Sequence, residues 1–149
     1  MTDGDDVAGL MWRGWVWRVA LVGAAVTAGY FLATVLLPLS TRGDPLYDTA
    51  MLRARWYGGW GVVWCHLLAL LGAAVLLVAG PRRWWSLAAL LAGCGALAMI
   101  VVEEGLVIRF GDLIEPREQT AWRLTASLWT TALCSAGLLF ALWRARDPR

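Results

Sequence analysis

The sequence contains no lysine and a single histidine, His66. All 13 basic side chains are arginine, set against 11 acidic ones, and the resulting net charge of +2 is too small to suggest a nucleic-acid partner. Charge of either sign is scarce, at 16% of residues, while 60% are hydrophobic, a balance that a soluble globule does not show. The three cysteines, Cys65, Cys94 and Cys134, are an odd number, lie in apolar runs and form no CxxC pair. That pattern excludes a disulfide framework and a zinc ribbon, and suggests burial as small apolar residues. No glycine-rich nucleotide loop or nucleophile elbow is present. One histidine can neither ligate haem from two sides nor build a three-histidine zinc site, so no metal and no other cofactor is expected; His66 with Glu103 would hold a metal only weakly.

Long apolar runs fill the space that charge leaves. A bilayer core about 30 Å thick needs roughly 20 apolar residues in a helix rising about 1.5 Å per residue. Val19 to Leu37, Trp60 to Ala79, Trp84 to Val102 and Leu124 to Trp143 contain no Asp, Glu, Lys or Arg. Helices satisfy their own backbone hydrogen bonds, as hydrocarbon demands, and the alternation of a transmembrane β-barrel is absent. The expected fold is therefore all-α, a four-transmembrane-helix bundle in a single domain over 13–145, with spans at about 17–37, 58–79, 84–106 and 122–143. A disordered acidic tail is expected at 1–12 and a short tail at 146–149.

Tryptophan marks the same limits. Trp12, Trp15, Trp17, Trp56, Trp60, Trp84, Trp85, Trp122 and Trp143 stand at or just beyond the span ends, as an interfacial belt would, whereas Trp64 and Trp129 lie deeper and read as packing residues. Arg13 and Arg18 precede the first span as in a signal peptide, but "LPLSTRG" offers no small-x-small cleavage site, so the span is read as retained. The stretch "LYDTAMLRARWYGG" predicts a short surface helix within the 38–57 loop, and the loop from Arg109 to Ala121 is acidic and contains Pro116. The "PRR" turn and Arg144, Arg146 and Arg149 predict both termini on the cytoplasmic side of a bacterial cell (inner) membrane.

That orientation gathers the polar residues of the spans in the outer half. Thr34 and Tyr30 fall about 6 and 12 Å below the outer ends, His66 about 9 to 13 Å, Glu103 and Glu104 about 6 to 8 Å, and Thr130 and Thr131 about 13 to 15 Å, with Arg123 opening the fourth span. Thr27, Tyr30 and Thr34 share one face of the first helix; Arg123, Ser127, Thr130 or Thr131, and Cys134 share one face of the fourth. His66 lies on the side of Ala69 and Ala73, where small residues favour close helix approach, so it is expected to face inward. Glu103 follows Ala92, Ala96 and Met99, and is a better interior candidate than Glu104.

Charged groups within a span are costly, which makes them functional hypotheses. The candidate site is an acid/base pair of Glu103 and His66, with Tyr30, Thr34, Glu104, Arg123 and Thr130 contacting a ligand. A structural reading stands beside each. His66 serves equally as a hydrogen-bonded packing residue, the glutamates sit at the headgroups if the third span ends at Val102, and hydroxyls in membrane helices usually bond their own backbone.

Pro38 closing the first span, "RWYGGWG" from Arg55 leading into the second, the "PRR" turn, and "WRLTASLW" from Trp122 opening the fourth give a layout, roughly from Thr27 to Leu142, that resembles the anthrone oxygenase-like group of small four-helix bacterial membrane proteins. The chain departs from that group after the third span, where "RFGDLIEP" has no asparagine, and no catalytic residue is carried over. The leading functional expectation is a membrane protein with an outer-half polar pocket for a hydrophobic or lipid-like small molecule, extending to acid/base chemistry on it. Two further classes stand beside it: an accessory or structural subunit of a larger membrane complex or homo-oligomer, and a small proton-coupled transporter. The first span lacks the mid-helix glutamate that small multidrug exporters carry.

Overall fold

A computed structural model describes residues 3–36, 60–111 and 117–146. They form four helices: α1 (Asp3–Leu36), α2 (Trp60–Ala79), α3 (Arg83–Gly111) and α4 (Arg117–Arg144). Each contains a stretch long and apolar enough to cross a bilayer, namely Met11–Leu36, Gly61–Ala79, Arg83–Val102 and Thr125–Arg144. The protein is thus an all-α bundle of four transmembrane helices, as the apolar runs predict.

Helix boundaries differ from expectation at two places. The segment expected as an acidic tail is helical from Asp3; its three aspartates stand near the helix start, where the dipole favours negative charge, and no proline interrupts the run. The loop expected from Arg109 to Ala121 is shorter, because α3 continues past Val102 to Gly111 and α4 begins at Arg117. The short helix expected within 38–57 and, of the tail expected at 146–149, residues 147–149 lie outside the described residues. Between α2 and α3 the chain reverses tightly: the Gly80 N–H donates to the Leu76 carbonyl, and Pro81 cannot continue the helix.

The helices form a closed square in which α1 and α3 each pack against both α2 and α4. Neighbours run antiparallel. A Cβ on Gly23 would lie 2.5 Å from the Cys65 carbonyl, and one on Gly72 would collide with Ala20, so α1 and α2 approach closely only because glycine stands at both crossings. Against α3, Gly137 of α4 faces Ala92, and Cys134 faces Gly95.

Two apolar clusters fill the interior. Toward one end lie Ala20, Ala24, Ala69, Ala73, Leu76, Ala89, Leu138, Ala141 and Leu142, and toward the other lie Phe31, Val62, Ile100, Leu128 and Ala132. At the first end, side chains cap the orphan carbonyls of α4. The Trp17 indole donates to the Leu142 carbonyl at 2.8 Å, and Arg82 Nη1 donates to the Arg144 carbonyl at 3.0 Å. The Trp17 bond also sets the start of the α1 span beside the end of α4, so both chain ends leave the bundle on one side.

The outer surface corrects three sequence expectations. Trp64 and Trp129 are exposed on the bundle's exterior, as is Cys94, while Cys65 and Cys134 are only half-buried. Lipid tails are as apolar as a protein core, so a deep apolar residue gains as much by facing lipid as by facing another helix.

Candidate functional site

Between the two apolar clusters runs a polar layer to which every helix contributes. Thr27 of α1, His66 of α2, and Thr131 and Ser135 of α4 are all buried to 0% exposure. The fourth contribution is a backbone group, the Gly93 carbonyl of α3, which His66 Nε2 meets at 2.8 Å. Gly93 stands at the midpoint of the Arg83–Val102 span, so the layer lies near the middle of the bilayer.

A carbonyl can only accept, so His66 Nε2 carries a proton and donates it. In the neutral ring Nδ1 is then a bare acceptor. Nδ1 is buried with no hydrogen-bond partner among the described residues, and so is the Ser135 hydroxyl. The threonines are engaged with their own helices: Thr27 donates to the Gly23 carbonyl at 2.9 Å and Thr131 to the Ser127 carbonyl at 3.0 Å. Their protons are directed to backbone carbonyls, so the acceptor that the layer offers is His66 Nδ1, with Ser135 able to act either way.

Small residues make room for this arrangement. A Cβ at position 93 would run into Leu70 and come within 3.5 Å of Leu138, so a larger residue there would displace the side chains that close the layer from below. Ala24, Ala28 and Ala96 are buried at the same level.

Of the residues expected to form a site, the structure brings only His66 into this layer. Its inward position follows the Ala69 and Ala73 face, both of which are fully buried. Tyr30 is half-buried in the second apolar cluster, edge-on to Phe31 at 5.2 Å, and Thr34 donates to the Tyr30 carbonyl. Thr130 points outward and bonds the Ala126 carbonyl, so Thr131 takes the inward place. Arg123 is exposed. Glu103 and Glu104 continue α3 as helix; their side chains lie outside the described residues.

Helix register separates the expected acid/base pair. Glu103 stands ten positions beyond Gly93, which His66 touches, about 15 Å of rise along α3 and more than two side chains span. Glu103 is instead level with Arg123, since Ser127 approaches the Met99 carbonyl at 3.5 Å and each residue lies four positions further out on its helix. Ser135 escaped the sequence reading, although Ser127, Thr131 and Ser135 at successive i+4 spacings form a polar stripe that could have revealed it. The Gly93 carbonyl carries no sequence signal of its own. Among the described residues no three His, Cys, Asp or Glu side chains come together to hold a metal.

Comparison with protein-family models, with curated proteins and with solved structures found no match to this chain.

Proposed function

We propose that the bundle binds a small hydrophobic or lipid-like molecule carrying a hydrogen-bond donor, with His66 Nδ1 as its acceptor. One observation carries this reading. Buried polar atoms in folded proteins nearly always have partners, yet Nδ1 and the Ser135 hydroxyl have none among the described residues. A partner from outside the chain supplies what the chain lacks. Hydroxyl-bearing quinols, phenolic polyketides and isoprenoid alcohols combine a donor with the apolar body that this environment accepts.

The reading extends to acid/base chemistry in a restricted form. Glu103 cannot exchange a proton with His66 directly, so a ligand that engages both must reach from the central layer to the level of Glu103 and Arg123. His66 Nδ1 would take the proton of the ligand hydroxyl, and Arg123 would hold an anionic group or orient Glu103. Tyr30, Thr34 and Glu104 lie toward the same end. Placement in the cell (inner) membrane with both termini cytoplasmic is supported by the arginines at the end where the chain termini leave the bundle.

The test is mass spectrometry of what stays bound after gentle purification, on wild type beside His66→Ala and Glu103→Gln. A small molecule present in wild type and lost from His66→Ala is expected. Equal occupancy in all three proteins, or no ligand in wild type, would sink the reading. A second reading, an accessory subunit of a larger membrane complex, is favoured by the outward face of α1. There Ala25, Gly29 and Ala33 repeat every four residues, and a Cβ on Gly29 would meet nothing within 4 Å. Co-purification of a second protein at fixed stoichiometry, without a ligand, is its signature.

A further inference from the structure

The end of the bundle where the termini leave carries six arginines, Arg13, Arg18, Arg82, Arg83, Arg144 and Arg146, and residues 11–20, 72–89 and 138–146, which build that end, contain no Asp or Glu. The three aspartates near the start of α1 lie about two to three helical turns beyond Arg13, and Asp147 lies outside the described residues. Cations gathered at one end, with no carboxylate among the described residues that build it, attract counter-charge from outside the fold.

Three of these arginines are held in position rather than free to extend into water. The Arg144 guanidinium lies over the Trp85 ring at 5.4 Å, and Arg146 lies over Trp17 at 5.3 Å. Arg82 is tied to the Arg144 carbonyl, which brings a second guanidinium to the end of α4. Trp85 packs edge-on against Phe140, and Trp17 is anchored by its own bond to Leu142, so the aromatic supports are themselves fixed. The result is two guanidiniums seated on indoles across the α1/α4 and α3/α4 seams. An exposed Trp84 and Trp143 flank them at the depth where headgroups meet acyl chains.

We infer that this end binds the headgroup phosphates of anionic phospholipids, with Arg82 and Arg144 forming one contact point and Arg146 on Trp17 another. Guanidinium forks match phosphate oxygens, and stacking on indole holds the forks ready without loss of their charge. Phosphate at this depth belongs to the membrane itself. Net negative charge on the lipid decides retention, because a zwitterionic headgroup brings its own cation to compete with the arginines. The inference does not depend on the ligand in the central layer.

The test uses the full chain in mild detergent, challenged under native mass spectrometry with phosphatidylglycerol, phosphatidylcholine and inorganic phosphate in turn. Phosphatidylglycerol is expected to stay bound under activation that strips phosphatidylcholine. Each arginine near the surface is worth about a factor of five, so the Arg144→Gln/Arg146→Gln protein should retain phosphatidylglycerol roughly thirtyfold less well. Arg146→Gln alone changes a residue beyond the end of α4, leaves the Arg82 bond in place, and should show about a fivefold loss even if the double variant does not fold. Equal retention of the two lipids, unchanged retention in the variants, or displacement of phosphatidylglycerol by inorganic phosphate alone would each overturn the inference.

Discussion

His66 holds α2 to α3 through a single bond, and what that bond contributes is measurable. The Gly93 carbonyl already stands in the hydrogen-bond ladder of α3, so removing the imidazole leaves no orphan there. His66→Leu should therefore destabilise the protein by only about 0.5 to 1 kcal/mol, the usual worth of a hydrogen bond between membrane helices. Thermal unfolding in detergent reads this directly; a loss several times larger would mean that the ring has partners beyond Gly93. Ser135 makes the opposite prediction. Its buried hydroxyl bonds nothing, so Ser135→Ala should leave the ligand-free protein as stable or up to about 1 kcal/mol more stable, while weakening any ligand that uses the hydroxyl. Thr130→Val, by contrast, changes an outward residue bonded to its own helix, and should alter neither stability by more than about 0.5 kcal/mol nor ligand occupancy. That Thr131 and not Thr130 faces the interior was not legible in the sequence, where adjacent threonines are chemically alike and about 100° apart.

Between helices, close approach rests on glycine, and two glycines of α1 and α2 behave differently. A side chain on Gly72 meets Ala20 at once, with the Ala20 Cα at 3.4 Å and the Val16 carbonyl at 3.5 Å, and backbone atoms cannot step aside. Gly72→Leu should force α1 from α2 and reduce stability by about 1 to 3 kcal/mol or more, seen as a lowered melting temperature in detergent. Gly29→Leu meets nothing and should melt as wild type within about 0.5 kcal/mol. If a partner protein covers the outer face of α1, the same variant should lose it during purification, which separates the subunit reading from the ligand reading without disturbing the bundle. Sequence spacing singled out Ala69 and Ala73 on α2 as small residues beside His66, and none on α1. It could not say which glycines meet another helix and which face lipid.

The square of four antiparallel helices returns the chain to the side from which it set out. Tags on the two termini should therefore be cut by protease from the same face of sealed vesicles, and the positive-inside pattern expects that face to be cytoplasmic. Cleavage of one tag only would contradict the arrangement in which Trp17 caps α4. The layered interior, apolar then polar then apolar, also sets where the protein can yield. The two apolar clusters hold the ends, while the polar layer between them offers unpaired acceptors at mid-membrane.

Hydrophobic run length and the scarcity of charge were enough to read the all-α fold, its four helices long and apolar enough to cross a membrane and most of their limits, because both act locally and need no partner. The inward position of His66 was also legible, through Ala69 and Ala73, the small residues three and seven places along its helix. What lay beyond the sequence was the partner of His66, a backbone carbonyl of α3, and the register that sets Glu103 about 15 Å further along that helix. In water, an amphipathic helix declares its buried face by hydrophobicity. In a membrane both faces are apolar, so the inner face and the register of each helix come from how small residues let backbones meet, and that is a property of the assembled bundle.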